Sequence, residues 1–199
     1  MIDGAISRVL VVCLAGVLAA VISGVPADAA QQVTIGATGN STRCQAGSPG
    51  PYDAVQAAAA AGGPTYAVPT GGGSITSFST QAGSDGGVLE LEVWRPTSTA
   101  NTYTLVGISP PKTLTANSLN TFSLSPPIVA QGGDLLGFRQ ESQYLDCGWI
   151  TGNSGDVWST NHMPGSQPPT VGASETLQQQ ANLRINISAT VRPRHGQHG

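Results

Sequence analysis

Between residues 182 and 191 apolar and polar side chains alternate without a break. Leu183, Ile185, Ile187, Ala189 and Val191 fall on one side, and Asn182, Arg184, Asn186, Ser188 and Thr190 on the other. Successive side chains of an extended chain point to opposite faces, so a period of two predicts a half-buried β-strand. Pro193 has no amide hydrogen to give to a ladder and ends it. Residues 88–95 repeat the pattern, with Leu89, Leu91 and Val93 set against Glu90, Glu92 and Trp94. The stretch 81–87, Gln-Ala-Gly-Ser-Asp-Gly-Gly, has turn chemistry, and 74–80 before it reads as another strand. The two form a hairpin or a tight crossover. Further strands are predicted at 33–37, at 103–109 up to Pro110-Pro111, and at 119–124 up to Pro126-Pro127. Others follow at 128–131, 134–140 and 144–150.

Residues 52–61 are harder to place. Tyr-Asp-Ala-Val-Gln and five alanines favour a helix with Asp53 as its cap, but the segment is short for one and its neighbours are all extended. A strand is preferred, with the helix left open. Residues 151–181, rich in Gly, Ser, Pro and Gln, read as a long loop with one short strand at 157–158. Residues 193–199 read as a disordered polar tail. No internal repeat is present.

The N-terminus changes the picture. Arg8 precedes an apolar run from Val9 to Ile22, broken by Ser23, Gly24 and Pro26 and followed by Ala27-Asp28-Ala29. A basic start, an apolar middle and a small-x-small exit make a secretory signal peptide over residues 1–29. The run is short for a permanent span, which wants about 20 apolar residues. The expected product is secreted or cell-surface, with one domain over 30–192 and no membrane contact after cleavage; an uncleaved anchor is the alternative.

Removing 1–29 leaves seven basic and nine acidic residues, a formal charge of −2. That balance argues against nucleic acid as a partner. Only 10% of the residues are charged, so solubility rests on Ser, Thr, Asn, Gln and Gly. Cys13 leaves with the leader, and Cys44 and Cys147 remain. In an oxidising compartment an even pair predicts a disulfide, closing a loop of about 100 residues worth about 4–5 kcal/mol. Many short strands, few charges and one long-range disulfide predict an all-β, antiparallel β-sandwich, jelly-roll-like, with an immunoglobulin-like sandwich as the alternative.

Several segments resemble exported actinobacterial β-sandwich domains of unknown function. They are Ser-Ile-Thr-Ser-Phe-Ser-Thr-Gln-Ala-Gly-Ser-Asp-Gly-Gly at 74–87, Val-Trp-Arg-Pro at 93–96 and Leu-Asn-Thr-Phe at 119–122. Gly-Gly-Asp-Leu-Leu-Gly at 132–137 and Leu-Arg-Ile-Asn-Ile-Ser-Ala at 183–189 complete the set. The resemblance implies the sandwich and the exported location. It implies no activity and no catalytic residue.

Candidate chemistry is sparse. The nucleophile-elbow pattern is absent, since Gly-Asn-Ser-Gly-Asp at 152–156 fails at its last position. A Ser–His–Asp triad would depend on His162, because His195 and His198 lie in the tail. Glu90 and Glu92 share a strand face and could converge as a carboxylate pair, yet their alternation with Leu89, Leu91 and Val93 predicts solvation. Trp94 falls on the same polar face. An exposed ring there suggests a carbohydrate platform, to which Trp149, Trp158, Tyr144 and Tyr52 could add. Asp85 and Asp134 lie beside Gly-Gly turns and could hold a structural calcium ion; no other cofactor is expected. The expected function is that of a secreted, non-catalytic binding module, with a cell-wall glycan or a surface protein as its partner. Carbohydrate binding is the first alternative and a small exported hydrolase the second.

Overall fold

The computed structural model describes residues 31–39, 51–84, 86–141, 148–161 and 167–194. The expected signal peptide, Cys44, Cys147, Asp85, Tyr144, His162, His195 and His198 lie outside them. The described residues hold fourteen strands and no helix. In chain order these are β1 (Val33–Ala37), β2 (Tyr52–Ala58), β3 (Gly73–Gln81), β4 (Gly87–Pro96), β5 (Thr102–Ile108), β6 (Lys112–Leu114) and β7 (Leu119–Ala130). Then come β8 (Leu135–Gln140), β9 (Gly148–Ile150), β10 (Val157–Thr160), β11 (Ser174–Thr176), β12 (Gln178–Ala181), β13 (Leu183–Ile185) and β14 (Ile187–Pro193). All-β architecture is thus correct, and the ambiguous alanine-rich segment is strand β2.

The strands form three antiparallel sheets. One has the order β1-β14-β3-β7 and another is the pair β13-β9. The largest runs β11-β5-β4-β8-β2-β10-β12, with β6 beside β4. One apolar core joins the first sheet to one face of the largest. Ile35, Ile75, Phe78, Ile187 and Val191 of the first pack in a cluster with Leu89, Leu91, Val93, Leu136, Phe138 and Trp158 of the other.

Strands β3 and β4 belong to different sheets, so of the two expected links between them the crossover is the one present. Three expectations change. Residues 119–130 form one strand through Pro126-Pro127. Ser77 pairs with Ser123 and Ile75 with Ile128, so the residues between bulge outward. Strand β7 lies at a sheet edge, where missing amide donors are tolerated. The segment 151–181 carries β10, β11 and β12, not a single short strand. The alternating run 182–191 is split at Asn186 between two sheets. That side chain is buried, with its amide donating to Gln81 O at 2.7 Å and its oxygen accepting from Gly39 N at 3.2 Å.

The largest sheet curls. Strands β5 and β10 are four steps apart in its order, about 19 Å on a flat sheet at the usual strand spacing. Yet Tyr103 Oη lies 3.2 Å from Ser159 Oγ. Strands β11 and β12 pair with strands far apart in that order, β5 and β10, and Leu177 alone separates them in sequence. Only a sheet rolled into a half-barrel meets these constraints. Register shifts at Val93/Trp94 and at Val157/Trp158 supply local twist. The curl gives this sheet a second interior, lined by Val55, Trp94, Tyr103, Leu105 and Leu177.

Candidate functional site

Strand β4 divides its side chains between the two interiors. Leu89, Leu91 and Val93 enter the apolar core, and Glu90, Glu92 and Trp94 face the lumen of the half-barrel. Register aligns the lumen residues in rows. Asp53 of β2 pairs with Arg139 of β8, which pairs with Glu90; one step on, Val55 pairs with Gly137, which pairs with Glu92. Trp94 is fully buried, contrary to the expectation of an exposed ring, because the sheet folds round it. Gly137 makes room for the indole. A Cβ there would stand 2.8 Å from Trp94 Cδ1 and 2.4 Å from the Ala54 carbonyl oxygen.

Charge gathers at one end of the lumen. Arg139 Nη1 donates to Asp53 Oδ1 at 2.8 Å, and its Nε donates to Glu141 Oε1. Glu90 Oε2 stands 3.9 Å from that Nε, an ion pair without hydrogen-bond distance. Asp53 Oδ2 accepts from Asn161 Nδ2 at 2.6 Å, and the same amide reaches Glu175 Oε2 at 3.2 Å. Deeper in, Trp94 Nε1 donates to Glu92 Oε2 at 2.9 Å. Glu92 is 0% exposed, and its carboxyl also makes a side-chain hydrogen bond with the Asp53 carboxyl, which raises its pKa.

Three carboxylates therefore contact one guanidinium, and Glu92 and Glu175 add charge linked to Asp53, in a chain with only 11 acidic residues. Burial and the Asp53 charge hold the Glu92 carboxyl well above the ordinary range, so it keeps its proton at neutral pH. Burial, reinforced by repulsion from Glu141, pushes Glu90 up to about 7; Arg139 opposes this only in part. Glu175 is raised by burial and by Asp53. The expectation that Glu90 and Glu92 are solvated is corrected: Glu90 is 8% exposed, since both strand faces are interior. Glu90 and the more open Glu141 bring the cluster to the surface. An arrangement with this excess of negative charge can bind a cation, and Glu90 can exchange a proton near neutral pH.

The other expected site residues disperse. Trp158 points into the apolar core, edge-on to Tyr52 with ring centroids 6.5 Å apart, and its Nε1 donates to Gln180 Oε1 at 3.2 Å. Trp149 is half-buried in the two-stranded sheet, opposite Arg184. The tryptophans form no row. Asp134 accepts from Arg95 Nε and Nη2 at 2.8 and 2.9 Å and from the Gln131 amide at 2.7 Å, which fixes the turn before β8. Among the described residues no three His, Cys, Asp or Glu side chains are grouped to hold a metal ion.

Sequence reasoning missed Asp53, Arg139, Glu141, Asn161 and Glu175 as site residues. A signal existed in Asp53 and Arg139, charged residues inside apolar strands of a charge-poor chain. Comparison of the chain with known protein families, with curated proteins and with solved structures finds no match.

Proposed function

We propose that this protein is an exported, non-catalytic binding module of the β-sandwich class, jelly-roll-like, whose ligand enters the charged end of the half-barrel. The leader-like residues 8–29 support export. The core shared by the four-stranded sheet and one face of the largest supports the sandwich. The observation behind the binding site is Glu92, fully buried among an excess of carboxylates and sharing its proton with Asp53. A fold tolerates so costly a group where function requires it.

A cell-wall glycan or a surface protein remains the expected partner. A flat sugar platform at Trp94 is not part of this reading, because the ring is enclosed. The test is binding of the full chain to wall fractions and a glycan array, beside a Glu90→Gln/Glu175→Gln variant. Binding that falls at least tenfold in the variant supports the lumen site. Equal binding by both proteins removes it.

Glu90, held near 7 beside Glu141, favours a second reading as a small exported hydrolase in which Glu90 donates a proton. Turnover of aryl glycosides or esters that disappears in Glu90→Gln would establish it, and absence of turnover would leave the binding module.

A further inference from the structure

Strand β7 is an open edge of the four-stranded sheet. An edge strand carries a row of amide and carbonyl groups with no strand beside them. Folded proteins blunt such edges with charge, with proline or by keeping them short. The edge strands β1, β11 and β12 have 5, 3 and 4 residues, and Gly36 of β1 also gives its amide to Thr65 O. Strand β7 has 12 residues and not one charged side chain. Pro126-Pro127 interrupts it, which leaves 119–125 as an uninterrupted edge.

Register separates the spent backbone groups from the unspent. Ala82 N donates to Ser118 O at 2.9 Å, one step beyond the Gln81–Leu119 pair. Bonded and non-bonded pairs alternate along an antiparallel ladder. Asn120 and Phe122 therefore turn their amides and carbonyls to β3, and Leu119, Thr121 and Ser123 turn theirs outward. The 2.8 Å contact of Ser79 Oγ with Thr121 Oγ1 fits the closer side chains of a non-bonded pair. Among the described residues none bonds the outward backbone groups, and Leu119, Thr121 and Ser123 are all exposed.

We infer that β7 pairs antiparallel with β7 of a second copy of this chain, an interface separate from the lumen. A strand without charge meets its own copy without repulsion and offers a foreign strand no charge to select. A two-fold axis at Thr121 sets Thr121 opposite Thr121 and Leu119 opposite Ser123. Every outward donor and acceptor of the three residues then meets one from the other copy. One long open edge per copy closes as a pair and does not propagate. The contact is small beside the about 20–30 residues a side of a stable interface, so the pair is reversible and depends on concentration.

Pairing also enlarges one surface. Thr34, Thr190, Ser77 and Ser123 align across the four strands, and Ser188, Ser79 and Thr121 align in the next row. These hydroxyls lie on the face turned away from the core. An axis perpendicular to the sheet places both copies' rows on one side of an eight-stranded sheet.

The experiment is sedimentation equilibrium of the full chain from about 1 μM to about 1 mM, with amide hydrogen exchange by NMR at both ends of that range. The expected mass doubles and stops at two copies. Exchange at Leu119, Thr121 and Ser123 should slow at least tenfold at the high concentration, while Asn120 and Phe122 are protected at both. Thr121→Pro deletes an amide that a single copy leaves unpaired. It should weaken pairing at least tenfold and leave the spectrum away from β7 unchanged. Thr121→Lys should weaken it as far by setting like charges together at the axis, and Thr34→Lys, on the same face at β1, should not. A single copy at every concentration would overturn the inference. So would growth past two copies, a pair that leaves the three amides unprotected, or full pairing by folded Thr121→Pro. Should that variant fail to fold, Thr121→Lys and the exchange pattern decide alone.

Discussion

The two faces of β4 are equally buried and chemically opposite. Leu89, Leu91 and Val93 enter a core of aliphatic and aromatic groups. Glu90, Glu92 and Trp94 enter a lumen whose charged end holds five carboxylates and one guanidinium. A strand with polar and apolar alternation normally separates protein from water. Here it separates two interiors. One is stabilised by removing apolar area from water, at about 25 cal/mol per Å². The other confines charge that burial disfavours, and depends on Arg139 and on bound protons to remain folded. The first face accounts for the fold and the second holds the buried charge.

Truncation should separate the faces first by pH dependence. Phe138→Ala empties part of the apolar core and should cost about 3–5 kcal/mol by chemical denaturation. That loss should be the same at pH 5 and pH 8. Arg139→Leu removes the guanidinium from between Asp53 and Glu141. It should cost about 3–5 kcal/mol at pH 8 and less at pH 5, where neighbouring Glu90 holds its proton. A pH-independent loss in Arg139→Leu would erase the distinction between the interiors. Gly137→Ala tests the seat of the indole. Its Cβ would meet the Ala54 backbone at 2.4 Å, so overpacking of about 1–3 kcal/mol is expected, with a changed Trp94 fluorescence.

The smallest effect has the opposite sign. Glu90 and Glu92 are raised above their unfolded values of about 4.3, so between that pH and about 7 the folded state binds more protons than the unfolded. Their contribution to stability is complete below about pH 4 and is lost as pH rises through the folded values. Glu92→Gln removes one titrating group and keeps an acceptor for Trp94 Nε1. The variant should melt higher than the parent at pH 8 and show a flatter stability profile from pH 5 to pH 8. Melting curves across that range would check both.

Period-two alternation located β4, and apolar runs bounded by turn residues located β1, β3, β5 and β8, because strand propensity and patterning are local. The role of the alternation in β4 was not local. Whether Glu90 faces water depends on whether β11 and β12 reach opposite ends of the sheet order, and that depends on pairings across the whole chain. The same non-local closure hid the strands in 151–181, where Gln178-Gln179-Gln180 has no apolar face and is held by pairing with β10. Glu90 and Glu92 were legible as a same-face pair. Asp53 and Arg139 were not legible as their neighbours, since cross-strand register joins residues 86 positions apart. Asn186 misled for another reason, as a polar residue in an alternating run can be buried when backbone groups satisfy it.

The most direct measurement is a carboxyl-carbon NMR titration of the full chain from pH 3 to pH 9, with Glu90 and Glu92 assigned through their Gln variants. The prediction is a Glu90 midpoint near 7 and a Glu92 carboxyl still protonated at neutral pH. Two midpoints in the ordinary range of about 4–4.5 would show solvated carboxylates, and would contradict the second interior and the site placed in it.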